Sequence, residues 1–388
     1  MASKRQGFAQ RRKAVGYTQE SFAERLGVER NTVVRWEAGD TDPQPWMRPK
    51  IARALQVSVD QLDRWLTEAD EPEAATDERL TYALEHPSSV DLVAVAHLRE
   101  QVQDLDERYD RAPSTSLLAD TGQCLGQVTF LRAHAPTNRV RRELYAVEAE
   151  TATLMGQLVW DASQRRDHAT ARAYFAQGIT AARQLRAPAT EGLALLRTSF
   201  VAMYGEKDPK AGLALTMQTA ETAKGTSEVI TGLAVLHAAE AHAMLGHQAD
   251  CEQALAQAEV HFGRIDSSDP AIELFSPTQH GRLAGSCYLF LNKARRAQPI
   301  LEHTAQTLRD RSKSQAIALG NLTIAHIRQR QLDEAVTVLH KAIDTVEATW
   351  GGGGLNVVFS AACELRPWRH VPVVQDVHDR LLTLMAAS

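Results

Sequence analysis

The chain has 388 residues, 44% of them hydrophobic, and a formal net charge of −5. That length exceeds what one compact core accommodates unless the chain is a repeat array, and no apolar run reaches the roughly 18 residues of a membrane span. Cys124, Cys251, Cys287 and Cys363 are far apart with no CxxC spacing, which predicts reduced, mostly buried thiols rather than a disulfide framework or a zinc site. The basic N-terminus has no apolar segment behind it, so a cytoplasmic location without a secretory signal is expected.

Charge is unevenly placed. Residues 1–66 hold 12 Lys/Arg and 8 Asp/Glu, a net of +4; the remaining 322 hold 31 and 40, a net of −9. A small basic head joined to a large acidic body fits a nucleic-acid-binding module attached to something else.

In the head, QGFAQRRKAV reads as a first helix, stopped at Gly16-Tyr17. Thr18 caps the next, TQESFAERL, through its hydroxyl, and Gly27 supplies the turn at its C-terminus. GVERNTVVRWEAGD gives a third helix, ended by Gly39; PQPWMRPKIARALQV and SVDQLDRWL give a fourth and a fifth. Phe22, Ala23, Leu26, Val28, Val33 and Trp36 fall where a helix pair would bury them, and Arg30, Asn31, Thr32 and Arg35 form the polar side. This is helix-turn-helix spacing. Residues 67–79 follow as an acidic linker, with Glu68, Asp70, Glu71, Glu73, Asp77 and Glu78 around a proline and little to bury.

From Leu80 the pattern is helical throughout. A small residue recurs at Ala171, Ala211, Cys251, Ala297 and Ala335, and four residues after each stands Phe175, Leu215, Leu255, Leu301 or Leu339. Successive anchors are 40, 40, 46 and 38 residues apart. A small–large pair four apart shares one helical face and lets a neighbouring helix approach. With an apolar helix before each, the unit is a helical hairpin, and residues 80–350 are predicted as an array of them. Gly351–Gly354 are expected to break the array, at a cost near ~1 kcal/mol each inside a helix. Residues 351–388 thus form a glycine-rich break and a C-terminal capping helix. The fold class is all-α: a small five-helix head, then an α-solenoid of hairpins.

The run TQESFAERLGVERNTVVRWEAGDTDP resembles the Cro/CI-type (XRE) helix-turn-helix domain of transcriptional regulators. The resemblance implies that the third helix enters the major groove of DNA, with Arg30, Asn31 and Arg35 on base edges. Gln19 and Thr32 would reach the backbone, and Arg12 would pair with Glu37 inside the domain. The chemistry is apt. An arginine fork matches O6 and N7 of guanine, a carboxamide matches N6 and N7 of adenine, and each good pair discriminates by about 1–3 kcal/mol. Arg48 and Lys50, with Lys4, Arg5, Arg11 and Lys13, suit phosphates. Glu29 departs from this logic, since the DNA backbone would repel it. Such heads usually act as dimers on half-sites about 10–10.5 base pairs apart, so a homodimer on a palindromic operator is expected.

The hairpins at residues 140–350 resemble the tetratricopeptide repeat, whose period is about 34 residues. In regulators resembling this layout the array binds a signal, often a peptide. First helices line the concave side, which makes Arg197, Tyr204, His237, Glu240, Tyr288 and Asn321 candidate ligand contacts. The Asn321 carboxamide can hold a peptide amide at both ends. The surplus of Arg over Lys, 34 to 9, and the abundant alanine resemble actinobacterial chains.

No nucleophile–base pair, phosphate loop or HExxH is found, so neither an enzyme nor a cofactor is expected. His237 and His242, five apart, do not share a helical face, and no metal is expected. The function predicted is a sequence-specific DNA-binding transcriptional regulator whose repeats sense a peptide or small molecule or mediate dimerisation. The alternative is an adaptor that binds a protein partner through the repeats, with DNA secondary or absent.

Overall fold

The computed structural model describes residues 6–38, 41–55, 57–67, 73–308 and 312–386, and among them every regular element is helical. It divides into two compact units, Met1–His86 and Pro87–Ser388.

The first unit contains α1 (Gln6–Ala14), α2 (Gln19–Leu26), α3 (Arg30–Glu37), α4 (Arg48–Leu55), α5 (Val59–Thr67) and α6 (Glu73–Glu85). Thr18 Oγ1 accepts from the Ser21 amide at 3.1 Å, and Ser21 Oγ accepts from the Thr18 amide at 2.9 Å, which closes a capping box on α2. Gly27 ends that helix in the left-handed region, φ 74° and ψ 38°, where a side chain would be strained. Phe8, Phe22, Leu26, Val33, Ile51, Leu55 and Leu62 form the core, with Phe8 edge-on to Phe22 at 6.1 Å. Val28, expected inside, is only partly buried at the margin of this core. Gly39, expected to end α3, lies outside the described residues.

The acidic linker expected at 67–79 is not loose at either end. α5 runs to Thr67 and α6 starts at Glu73. Ala74, Ala75, Leu80 and Ala83 are good helix formers, and Leu80 and Ala83, three apart on one face, are both buried.

The second unit contains α7 (Leu92–Tyr109), α8 (Ser114–His134), α9 (Asn138–Ala162), α10 (His168–Leu185), α11 (Pro188–Phe200), α12 (Pro209–Ala223), α13 (Glu228–Met244), α14 (Gln248–Phe262), α15 (Thr278–Phe290), α16 (Ala294–Thr307), α17 (Lys313–Arg328), α18 (Leu332–Thr349), α19 (Gly352–Glu364) and α20 (Pro372–Ala386). Asp91, Thr137, Asp167, Asp208, Ser227 and Ser312 each accept an early amide at the start of their helix. The hairpins are α9–α10, α11–α12, α13–α14, α15–α16 and α17–α18. Consecutive first helices pack on one another, and each second helix packs on the next first helix.

Ala171 with Phe175, Cys251 with Leu255, Ala297 with Leu301 and Ala335 with Leu339 are all buried, as the small–large pattern requires. The second repeat is shifted by one residue: Gly212 and Thr216 are buried, while Ala211 and Leu215 are half-buried. α11 ends in a π-helical turn, Val201–Gly205, one residue wider per turn than an α-helix. Met203 of that turn occupies the space a side chain on Gly212 would need, so the glycine, instead of Ala211, faces the first helix of its own hairpin.

The four glycines do not break the array. Gly351 is the extended N-cap of α19, and Gly352–Gly354 form its buried first turn. A Cβ on Gly354 would come 2.7 Å from Ala316 Cβ, and one on Gly351 2.7 Å from Lys313 Cδ. Bare backbone is what lets α19 lie against α17, and that burial outweighs the intrinsic helix cost. α20 follows on α18 with Val374, Val377 and Leu381 buried.

This close approach has a second effect. α19 also reaches α9, where a Cβ on Gly352 would sit 3.0 Å from the Asp161 carbonyl. The Lys313 amide donates to the Asp110 carbonyl at 2.9 Å, and Lys313 Nζ donates to Ser114 Oγ at 2.8 Å, 199 residues earlier. The array closes on itself as a ring.

Candidate functional sites

At about 100° per residue, Arg30, Val34, Asn31 and Arg35 follow one another along one side of α3. Arg30, Asn31 and Arg35 are exposed, Thr32 is half-buried at the edge, Val33 and Trp36 are buried on the opposite side, and Glu37, two turns beyond Arg30, is buried at the end of the helix. Glu37 anchors the helix. Arg12 Nε donates to Glu37 Oε1 at 2.6 Å and Gln19 Nε2 donates to Glu37 Oε2 at 2.7 Å, while Arg12 Nη1 donates to the Tyr17 carbonyl at 2.5 Å. One buried carboxylate thus ties α1 and α2 to the last turn of α3.

Arg30 Nε lies 3.7 Å from Glu20 Oε1, both well exposed, a pair weak enough to exchange for another anion. Lys50 Nζ donates to the Leu26 carbonyl at 2.6 Å, at the C-terminus of α2, and Arg48 Nε donates to the Pro43 carbonyl at 3.3 Å. Gln19, Arg48 and Lys50 therefore all have internal partners. Lys4 and Arg5 lie outside the described residues. Glu29 is the N-cap of α3, exposed, and its side chain makes no capping bond. Trp46, expected within the fourth helix, is 72% exposed in the turn before α4.

The ring of the second unit encloses a cavity of about 250 Å³ lined by Arg197, Tyr204, His237, Glu240 and Asn321 among others. Tyr288, the sixth residue expected there, is elsewhere. Two residues past the cavity-lining Ser286, it projects from the other side of α15, where its hydroxyl accepts from Arg296 Nη2 at 3.0 Å under a guanidinium 4.3 Å from the ring. The cavity also takes in Gln157, Arg165, Arg282 and Lys313, none of which the sequence reading selected. Gln157, Arg282 and Lys313 sit on first helices and meet the same criterion, whereas Arg165 lies in the turn after α9.

Glu240 is the most heavily bonded group in the cavity. It accepts from Ser286 Oγ at 2.6 Å and from the Tyr204 hydroxyl, with His237 Nδ1 3.7 Å away. Burial pushes the Glu240 carboxyl up, but these neighbours outweigh it and hold the group below its ordinary value, ionised. Burial holds His237 below its ordinary value, neutral at pH 7. The Tyr109 hydroxyl donates to Asp161 Oδ2 at 2.5 Å, and burial raises the phenol further. Arg165 stacks on Trp160 at 4.5 Å, 3.7 Å from Asp161. Arg197 rests over Phe200 at 5.4 Å. Among the described residues, neither Arg197, Arg282 nor the Asn321 side chain has a hydrogen-bond or ion-pair partner, and Gln157 Oε1 is buried without one.

Two hollows adjoin the cavity. One, about 700 Å³, carries Asp106, Glu107, Glu150 and Glu273; the other, about 430 Å³, carries Ser276, Thr278 and Ser312. A larger groove of about 1270 Å³ along α16–α18 is open to solvent. At the α13–α14 turn, His242, His247 and Asp250 place one potential ligand atom each within 4.8 Å of one another, an arrangement able to hold a metal that the spacing of His237 and His242 did not foreshadow. Cys124, Cys251 and Cys287 are buried free thiols; Cys363 is exposed. Among the described residues no helix is long and apolar enough to cross a membrane.

Residues 8–62 match the helix-turn-helix family. The chain is 34% identical over 64 residues to the cryptic phage CTXphi transcriptional repressor RstR of Vibrio cholerae, an alignment covering 16% of this chain and 57% of that one. It is 48% identical over 44 residues to an uncharacterised HTH-type transcriptional regulator of Methanothermobacter thermautotrophicus, covering 11% of this chain and 64% of the relative. The chain thus spans about three-fifths of the length of these curated relatives. Among solved structures it aligns with Bacillus thuringiensis PlcR in complex with the peptide PapR7 and DNA, at 14% identity and a TM-score of 0.30, over 68% of this chain and 95% of that one.

Proposed function

We propose that the protein is a sequence-specific DNA-binding transcriptional regulator acting in the cytoplasm, a homodimer on a two-fold operator, with its second unit sensing a ligand. The observation that carries the reading is the exposed Arg30–Asn31–Arg35 side of α3, held by the buried Arg12–Glu37–Gln19 contacts in a unit that matches the helix-turn-helix family. α3 lies in the major groove with those side chains on base edges. Thr32, Gln19, Arg48 and Lys50 flank it toward phosphates, the last three after exchanging an internal carbonyl or carboxylate partner. The ligand is a peptide or a small molecule taken up by the ring.

Fluorescence anisotropy with genomic fragments tests this. Arg30→Ala or Arg35→Ala is expected to narrow the gap between cognate and random DNA by about 1–3 kcal/mol, and Lys50→Ala to weaken all sequences alike while reducing the salt slope by about 1. Equal affinity for every sequence at low salt rules the reading out. A single stoichiometric protein partner retained by an Arg35→Ala chain that binds no DNA would make the protein an adaptor.

Glu29 supplies an independent check. Serine at this N-cap can accept an amide of α3 and removes a charge facing the phosphates. Glu29→Ser is therefore expected to stabilise the first unit by about 0.5–2 kcal/mol and to tighten DNA binding at low salt. Denaturant titration and anisotropy measure the two effects separately.

A further inference from the structure

We infer that the cavity inside the ring is a binding site for a small organic anion, a carboxylate or phosphate monoester on an apolar body about the size of a phenyl ring. This deepens the ligand-sensing part of the proposed function and rests on it only for regulatory meaning.

The size argument comes first. At about 250 Å³ the cavity falls just below the range of drug-sized sites, roughly 300–1,000 Å³, so by itself it holds a small molecule rather than an extended peptide. The charge argument follows. The lining carries Arg165, Arg197, Arg282 and Lys313 against Asp110 and Glu240. Both carboxylates are committed: Glu240 to Ser286 and Tyr204, and Asp110 to the amide and hydroxyl of Ser314, both at 3.3 Å. Arg165 and Lys313 are held by Asp161 and Ser114. Arg197 and Arg282 are left. Asp106 faces Arg197 from the adjoining hollow without reaching ion-pair distance.

Arg197 and Arg282 are half-buried on the cavity wall with no direct acceptor, and Glu240 and Asp110 act on Arg282 only through space; two such donor forks beside one cavity suit the oxygens of a carboxylate or phosphate. Neutral groups complete the recognition. Asn321, 8% exposed and without a side-chain bond, offers its carboxamide N–H groups to a bound anion. Leu193, Leu196, Phe200, Leu233 and Leu283 supply the apolar wall that an aryl or short alkyl body would fill.

The test uses the full chain without DNA, with thermal melting and calorimetry on four probes: phenylacetate, phenyl phosphate, inorganic phosphate and phenethylamine. At millimolar concentration phenylacetate or phenyl phosphate is expected to raise the melting midpoint by several degrees, inorganic phosphate to do less, and the cationic isostere phenethylamine nothing. The stronger of the two aryl anions tells carboxylate from phosphate ester. Arg197→Met and Arg282→Met are each expected to weaken the anion at least tenfold, with partial rescue by Arg282→Lys.

The idea is overturned if neither aryl anion binds, if phenethylamine binds equally well, or if both methionine variants bind as wild type does. The comparison of anion with cation on the unmodified chain stands whether or not a variant folds. Anisotropy with and without the bound anion then separates the two readings: an anion that binds and leaves DNA affinity unchanged keeps the site and removes the sensing role.

Discussion

Glu37→Ala is expected to unfold the first unit, at a cost of about 3–5 kcal/mol, the range for removing one partner of a buried ion pair. Glu37 is 8% exposed and Arg12 4%, so water cannot replace the lost carboxylate. The deletion leaves the Arg12 guanidinium buried with only the Tyr17 carbonyl and strands the Gln19 carboxamide. A unit this small is only marginally stable. Glu37→Gln keeps an acceptor of the same shape and should lie between wild type and alanine. Denaturant titration followed by the fluorescence of buried Trp36 reads the transition, and an alanine variant within about 1 kcal/mol of wild type would mean that Glu37 is not the anchor of α3.

Lys313→Met is expected to do the opposite and stabilise the second unit, by about 1–3 kcal/mol at neutral pH. Lys313 is 5% exposed, and burial pushes its ammonium down to about 8, with Asp161 and Asp110 opposing only in part. At pH 7 the lysine is charged in both states, and the folded state bears the desolvation cost. Between about pH 8 and its ordinary pKa near ~10.4 the unfolded chain holds the proton that the folded chain has lost. Wild-type stability contributed by this group therefore rises with pH across that window. The methionine variant lacks the effect, so its advantage should shrink as pH rises. Urea titrations at neutral and alkaline pH measure it; an advantage independent of pH, or a variant less stable than wild type, refutes the account. A fold that keeps such a lysine sacrifices stability at the seam of its ring, which is common where a site must stay charged.

The parts of this molecule legible in the sequence are those set by neighbours in the chain. Thr18 and Gly27 announce α2 because capping and the left-handed turn are local, and the small–large pairs announce the hairpins because each lies within one helix. The first-helix rule brought Arg197, Tyr204, His237, Glu240 and Asn321 to one cavity by helix identity alone; it failed at Tyr288 because it ignored rotation about α15. Arg165, in the turn after α9, is outside that rule, and Lys313, although on a first helix, comes beside it only through closure of the ring. Gly351–Gly354 misled for the same reason: propensity opposes a helix there, and only a tertiary neighbour pressed against the bare backbone overrides it. The exposure of Trp46 has no local signature at all.

The contact between α9 and α19 changes how the second unit comes apart. A linear stack loses structure from its termini, one repeat after another, because each repeat depends only on the next. Joined end to end, the hairpins have no terminus from which to peel, and the seam contacts form only after some 199 residues have been ordered, a long loop closure that slows assembly. The chain gains an interior sheltered from solvent and gives up the stepwise, repair-as-you-go folding of an open solenoid.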